Sequence, residues 1–158
     1  MKDLNSKTFW ITGASGGIGK ELAIQLANKG ARIILTARSI DKLNTVKNSL
    51  AGDGHLVYPM DLLNTDKIPD AVEEVLDKVG KIDVLVNNAG VSQRSLAKNT
   101  SLEVDRKIME LDYFACVALT KSLLPHIIER RQGMILSISS LAGKFGTCLL
   151  YTSDAADD

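Results

Sequence analysis

Cysteine is scarce in this chain: Cys116 and Cys148 are the only two in 158 residues. Two thiols cannot build a disulfide framework, so a reducing, cytoplasmic setting is expected. An excess of charge of either sign is also missing. Lysine and arginine number 19, aspartate and glutamate 19, for a formal net charge of +0, which gives no bulk attraction toward nucleic acid. No apolar run approaches the roughly 18 residues of a membrane helix. The opening Met1-Lys2-Asp3-Leu4-Asn5-Ser6-Lys7 is too polar for a secretory leader. Neither a membrane nor a nucleic acid is therefore expected as a partner. His55 and His126 stand without a cysteine, aspartate or second histidine at ligand spacing, so no metal is assigned. Repeats and low-complexity linkers are lacking too. The remaining composition, 45% hydrophobic and 24% charged, suits one globular domain.

The most informative stretch present is Phe9-Trp10-Ile11-Thr12-Gly13-Ala14-Ser15-Gly16-Gly17-Ile18-Gly19. An apolar run ends in glycines, and the helical pattern Leu22, Ala23, Leu26, Ala27 follows at once. Strand, tight turn and helix are expected in that order. Glycine permits positive φ and the close approach of a bulky anion, and a helix N-terminus offers unpaired N–H groups to phosphate. The spacing of Gly13, Gly17 and Gly19 is G-x-x-x-G-x-G, with Gly16 in addition; the commonest dinucleotide fingerprint is G-x-G-x-x-G.

Beyond this turn, strand and helix signals alternate. Strands are expected at 31–37, 55–59, 82–86 and 134–139, where β-branched and apolar residues cluster. Helices are expected at 39–50 (capped by Ser39, with Ile40, Leu43, Val46 and Leu50 inward), from Thr65 or Asp66 to Val79, and from about Leu102 to Arg131, bent near Pro125. Alternation with near-continuous apolar strands predicts an α/β fold: a Rossmann-type, doubly wound parallel sheet of order 3-2-1-4-5 with helices on both faces.

In such a sheet the end of the second strand, about 20 residues past the glycines, reads the ribose 2′ position. Here it is Thr36-Ala37-Arg38. No carboxylate stands there to repel a 2′-phosphate, and Arg38 offers a charge-assisted contact, so NADP is expected over NAD. Ser15 offers a further hydroxyl donor in the glycine loop. Asp61, with Leu62 after it, lies past the third strand, where either an adenine contact or a turn is expected. Asn87-Asn88-Ala89-Gly90 ends the fourth strand, where small residues permit close approach and an Asn amide can lock neighbouring turns. Ser139-Ser140 ends the fifth.

Taken together, Thr12-Gly13-x-x-x-Gly17-Ile18-Gly19, Asn87-Asn88-Ala89-Gly90 and Ile138-Ser139-Ser140 resemble the classical short-chain dehydrogenase/reductase family. Val91-Ser92-Gln93-Arg94-Ser95 and the 142–147 stretch are most similar to bacterial members akin to the dehydrogenase/reductase member 7 branch. The resemblance implies an NADP-dependent oxidoreductase that reduces carbonyls or oxidises alcohols, in a homo-oligomeric parent enzyme. Gly13, Ser15, Gly17, Ile18, Gly19, Arg38, Asp61, Leu62, Asn87, Ala89 and Gly90 would hold the cofactor. Ser140 would hydrogen-bond the substrate oxygen, and Asp112 stands where the family places a relay asparagine. The family's tyrosine and lysine positions fall on Ser153 and Asp157, and Tyr151 is offset from them.

The α/β pattern stops after Thr147, and residues 148–158 resemble the in-frame translation of a sequencing adapter. Residues 1–147 are expected to be a partial NAD(P)-binding Rossmann domain with its later strands missing, and 148–158 a non-native tail. The fifth strand would then be an apolar edge, open to aggregation. Without the Tyr-x-x-x-Lys pair, the alternative is a non-catalytic dinucleotide-binding module.

Overall fold

The computed structural model describes residues 4–93 and 95–140. The expectations for Tyr151, Ser153, Asp157 and the 148–158 boundary lie outside the described residues. Strands β1 (Thr8–Thr12), β2 (Arg32–Thr36), β3 (Leu56–Val57), β4 (Val84–Asn87) and β5 (Met134–Ser137) form one sheet in the order β3-β2-β1-β4-β5. All four pairings are parallel, as the alternating pattern predicts. Trp10 pairs with Ile34 on one side and Leu85 on the other.

Alternation along each strand divides the core into two layers. Trp10, Ile34 and Leu85 pack with Ile68, Val72 and Val75 of α3 (Ile68–Val79) and with Ala115, Leu119 and Leu123 of α5 (Ala115–Arg130). Ile11, Ile33, Leu35 and Val86 pack with Ala23 and Ala27 of α1 (Gly17–Ala27) and with Leu43 and Val46 of α2 (Ile40–Lys47). Both faces of the sheet are thus covered, which is why the strands carry few polar residues. Trp10 is fully buried, and its indole N–H donates to Thr36 Oγ1 at 2.9 Å.

Several details differ from the sequence reading. Ile40 is exposed rather than inward: Ser39 accepts the Lys42 amide at 3.4 Å, and the first residue of α2 faces out. α2 stops at Lys47 instead of Leu50, and β3 is two residues long. The long helix is interrupted not at Pro125, which lies inside α5, but at a π-helical turn, Glu110–Phe114, between α4 (Leu102–Met109) and α5. Across Leu102–Arg130 this stretch is long and apolar enough to cross a membrane by length and composition, with mean hydropathy 1.2 in its most apolar window. Charged residues such as Asp112 and Lys121 interrupt it, so it contains no continuous apolar run of that length. Its Ala115–Leu119–Leu123 stripe packs against the sheet. Met134 and Leu136 of β5, and Ile138 just after it, are exposed apolar residues; the chain that follows Ser140 lies outside the described residues.

The carboxyl ends of β1 and β4 meet where the strand order reverses, and Thr12 joins them. Its Oγ1 accepts the amides of Asn88 and Ala89, each at 3.0 Å, and donates to the Val86 carbonyl at 3.3 Å. Asn88 Nδ2 in return donates to the Thr12 carbonyl at 2.9 Å and the Gly13 carbonyl at 3.4 Å. Two glycines make the approach possible. A Cβ on Gly13 (φ +64) would lie 2.8 Å from Ala89 Cα, and one on Gly19 would lie 2.5 Å from Asn88 Nδ2. Thr12→Val removes the hydroxyl at nearly constant volume and leaves two partly buried N–H groups without an acceptor. The expected loss is about 2 kcal/mol or more, read as a lower urea midpoint at unchanged m-value. An unchanged midpoint would show that the lock adds nothing to stability.

Candidate functional site

The residues singled out in the sequence gather along the carboxyl edge of the sheet, the edge where open α/β folds bind ligands. Gly13 and Ser15 form the turn after β1, and Gly17, Ile18 and Gly19 form the first turn of α1. Arg38 follows β2, Asp61 and Leu62 follow β3, and Asn87, Ala89 and Gly90 close β4. Asp112 belongs to the π-helical turn, and Ser140 lies beyond β5.

The glycine turn has the form of an anion site. Gly16 caps α1 without a side-chain hydrogen bond, and the first turn contains no acidic residue. The first N–H groups of a helix have no intrahelical partner. A Cβ on Gly16 or Gly17 would meet nothing within 4 Å, so the turn is not crowded by neighbouring residues on that side. Gly17 also has φ +53, a conformation that suits glycine. A dinucleotide diphosphate fits this donor set. Arg38 is exposed and makes no ion pair among the described residues, leaving its guanidinium available to a second phosphate.

Two of these residues also have roles within the fold. Asp61 Oδ1 accepts the Leu63 amide at 3.1 Å, so the turn role weighed in the sequence is realised. The Leu62 side chain is buried in the core beside α3 and α5, which leaves only its backbone for a ligand. Each histidine accepts a backbone amide. His55 Nδ1 accepts the Ile33 amide at 3.1 Å, and His126 Nε2 accepts the Ile82 amide at 3.4 Å.

A cleft of about 1090 Å³ opens beside the glycine turn, with Ile18 at one side and Asn87–Gln93, the π-helical turn and Ser137–Ser140 around it. Asp112 Oδ1 accepts the Val91 amide at 2.9 Å and lies 3.5 Å from the place a Gly90 Cβ would take. The π-helical turn therefore pins the strand-end loop, and such turns cluster at functional sites. Asn87 Nδ2 donates to Thr120 Oγ1 at 3.3 Å, while its buried Oδ1 has no hydrogen-bond partner among the described residues. Burial, and then the Asp112 charge, push the Cys116 thiol above its ordinary value, so it lines the cleft as a protonated group at neutral pH. Ser139 and Ser140 bring exposed hydroxyls to the same cleft.

Sequence reasoning missed Thr12 as the lock and Val91 as the amide that Asp112 holds. A threonine ending a strand reads as an ordinary β-former, and Val91 contributes through its backbone. Asn88 was legible only as one of two adjacent asparagines. The structure assigns the lock to Asn88 and turns Asn87 toward α5.

A family model for short chain dehydrogenase matches residues 7–153. Human dehydrogenase/reductase SDR family member 7 is 46% identical over 147 residues, covering 89% of this chain and 43% of that protein. The chain thus spans less than half the length of that relative. The structure of a metagenomic short-chain oxidoreductase in complex with NADP matches at TM-score 0.84 and 33% identity, covering 93% of this chain and 68% of the other. A 7α-hydroxysteroid dehydrogenase complexed with NADH and 7-oxo glycochenodeoxycholic acid matches at TM-score 0.84 and 29% identity, over 98% of this chain and 62% of the other. From its glycine turn to its fifth strand, the chain belongs to the short chain dehydrogenase family.

Proposed function

We propose that the parent protein is an NADP-dependent oxidoreductase that interconverts small-molecule carbonyls and alcohols. The observation that carries this reading is the open, uncapped N-terminus of α1, with Arg38 at the end of the neighbouring strand β2 and the cleft beside it. The amides of Gly17, Ile18 and Gly19 hold the diphosphate, and Arg38 pairs with the 2′-phosphate. The bound dinucleotide supplies or takes up the hydride. Ser140 holds the substrate oxygen and stabilises the charge that develops on it. Asp112 keeps the Gly90–Val91 loop in register through the Val91 amide and is the candidate proton relay. Because the family's proton-donor and lysine positions fall on Ser153 and Asp157, the 158-residue chain itself lacks acid–base help for the reaction.

A cytoplasmic, homo-oligomeric parent enzyme, with neither membrane nor nucleic acid as partner, goes with this reading. The net charge of +0 offers no bulk attraction to nucleic acid, and the Ala115–Leu119–Leu123 stripe ties α5 to the sheet. The competing reading, a non-catalytic dinucleotide-binding module, rests on the same Ser153 and Asp157.

In a parent chain completed past Thr147, Arg38→Asp is expected to shift the NADPH/NADH ratio of kcat/KM toward NADH by about tenfold or more, the loss of one charge-assisted contact. An unchanged ratio would remove Arg38 as the selector. The 158-residue chain is expected to be inactive, since acid–base help is worth ~10²–10⁴ in rate. Saturable NADPH oxidation by the purified chain with a panel of aldehydes and ketones would contradict that.

A further inference from the structure

At the amino edge of the sheet, opposite the cleft, lies a cluster of titratable groups that the cofactor reading leaves unused. Asp83 precedes β4 with its side chain 3% exposed. Its Oδ2 accepts the Thr8 amide at 2.9 Å and its Oδ1 accepts Arg130 Nη2 at 2.9 Å. The ammonium groups of Lys7 and Lys81 lie 3.8 Å from the same carboxylate. Arg130 Nη1 also donates to the Ile82 carbonyl at 2.8 Å. One turn earlier on α5, His126 Nε2 accepts the Ile82 amide over a long 3.4 Å and lies 3.4 Å from Arg130 Nη1. The last turns of α5 therefore grip Ile82 by both its N–H and its C=O.

This geometry dictates a protonation state. Nε2 faces two N–H donors and must offer a lone pair, so the ring is neutral with its proton on Nδ1. A proton on Nε2 would turn the acceptor into a third donor pointed at the Ile82 amide and a guanidinium. The charged groups around it are Arg130 and Glu129 on α5, Asp83 and Lys81 at the start of β4, and Lys7 ahead of β1. Asp83 is already shared among Arg130, Lys81 and Lys7.

We propose that His126 is an acid-operated release for the carboxyl-terminal end of α5. Protonation breaks its hold on the Ile82 amide and sets a second cation beside Arg130, and the last turns of α5 loosen on the α3–β4 connection while Arg130 keeps the Ile82 carbonyl and Asp83. α5 follows directly on the turn that carries Asp112 and itself bears Thr120, so the release slackens the cleft wall from the far side of the sheet. Burial, and then the Arg130 charge, hold the ring below its ordinary value of 6.5, outweighing Glu129 and Asp83. With the folded value lowered, the unfolded chain binds more protons in the interval between the two values. Stability is full above 6.5, falls as pH drops toward the folded value, and levels off beneath it. Asp83 belongs to a separate window. Against the upward push of burial, the Thr8 amide, Arg130, Lys81 and Lys7 hold its carboxyl below 3.8, so its contribution is lost only under that pH.

The test is urea unfolding of the 158-residue chain and of His126→Gln between about pH 7.5 and pH 5. The glutamine amide oxygen can accept the Ile82 N–H but does not titrate. The wild-type midpoint is expected to fall across this window by more than that of the variant, the difference between the two slopes being the part that His126 contributes. Equal slopes in the two chains would overturn the proposal. If the variant does not fold, NMR of the wild-type chain decides. The His126 ring is expected to titrate below 6.5 with the Ile82 amide shift following the same midpoint. A ring that titrates while the Ile82 amide stays still, or one that titrates at the ordinary histidine value, would overturn it.

Discussion

The hydroxyl of Thr12 is the contact on which the rest of the site depends. It takes the amides of Asn88 and Ala89 at the end of β4, while Asn88 returns hydrogen bonds to the Thr12 and Gly13 carbonyls. β1 and β4 are neighbours in the sheet but come from opposite sides of its topological reversal. Their ends would otherwise splay around a crevice. The lock brings the glycine turn against the Asn88–Gly90 segment, closely enough that Gly13 and Gly19 have no room for a Cβ. The aim of α1 and the floor of the cleft are set together. Gly16 and Gly17, one step along, are uncrowded where a Cβ would stand, and no side chain caps the helix amides that an anion would meet.

Much of this arrangement was legible in the sequence because it rests on local chemistry. A run of Phe9-Trp10-Ile11 leading into glycines, followed by helical spacing, has few other solutions, and the apolar strands 33–35 and 84–86 demand cover on both faces. What stayed hidden depends on distant partners. The π-helical turn is held by Asp112 reaching the Val91 amide, 21 residues earlier in the chain, and nothing in Glu110–Phe114 departs from helical periodicity. Ile40 fits an inward helical stripe by spacing, yet the cap at Ser39 begins the helix in a rotation that turns it outward. Leu62 lies on the ligand edge by position, while its side chain belongs to the core.

α5 connects the two ends of the sheet. Near its amino end the π-helical turn brings Asp112 to the strand-end loop, and at its carboxyl end Arg130 and His126 hold Ile82. Between them, Ala115, Leu119 and Leu123 are buried against β1 and β4 residues such as Trp10 and Leu85. The same helix thus carries contacts to both edges of the sheet. Among the described residues, Met134 and Leu136 of β5 stay exposed.

The most direct test of the account is an NMR titration of the 158-residue chain with NADPH, followed at the backbone amides. Saturable shifts are predicted at Gly16–Gly19, at Arg38 and along Asn87–Gly90, with NADH causing weaker shifts at Arg38. Saturation without movement of the Gly17, Ile18 and Gly19 amides, or no saturable response at all, would contradict it.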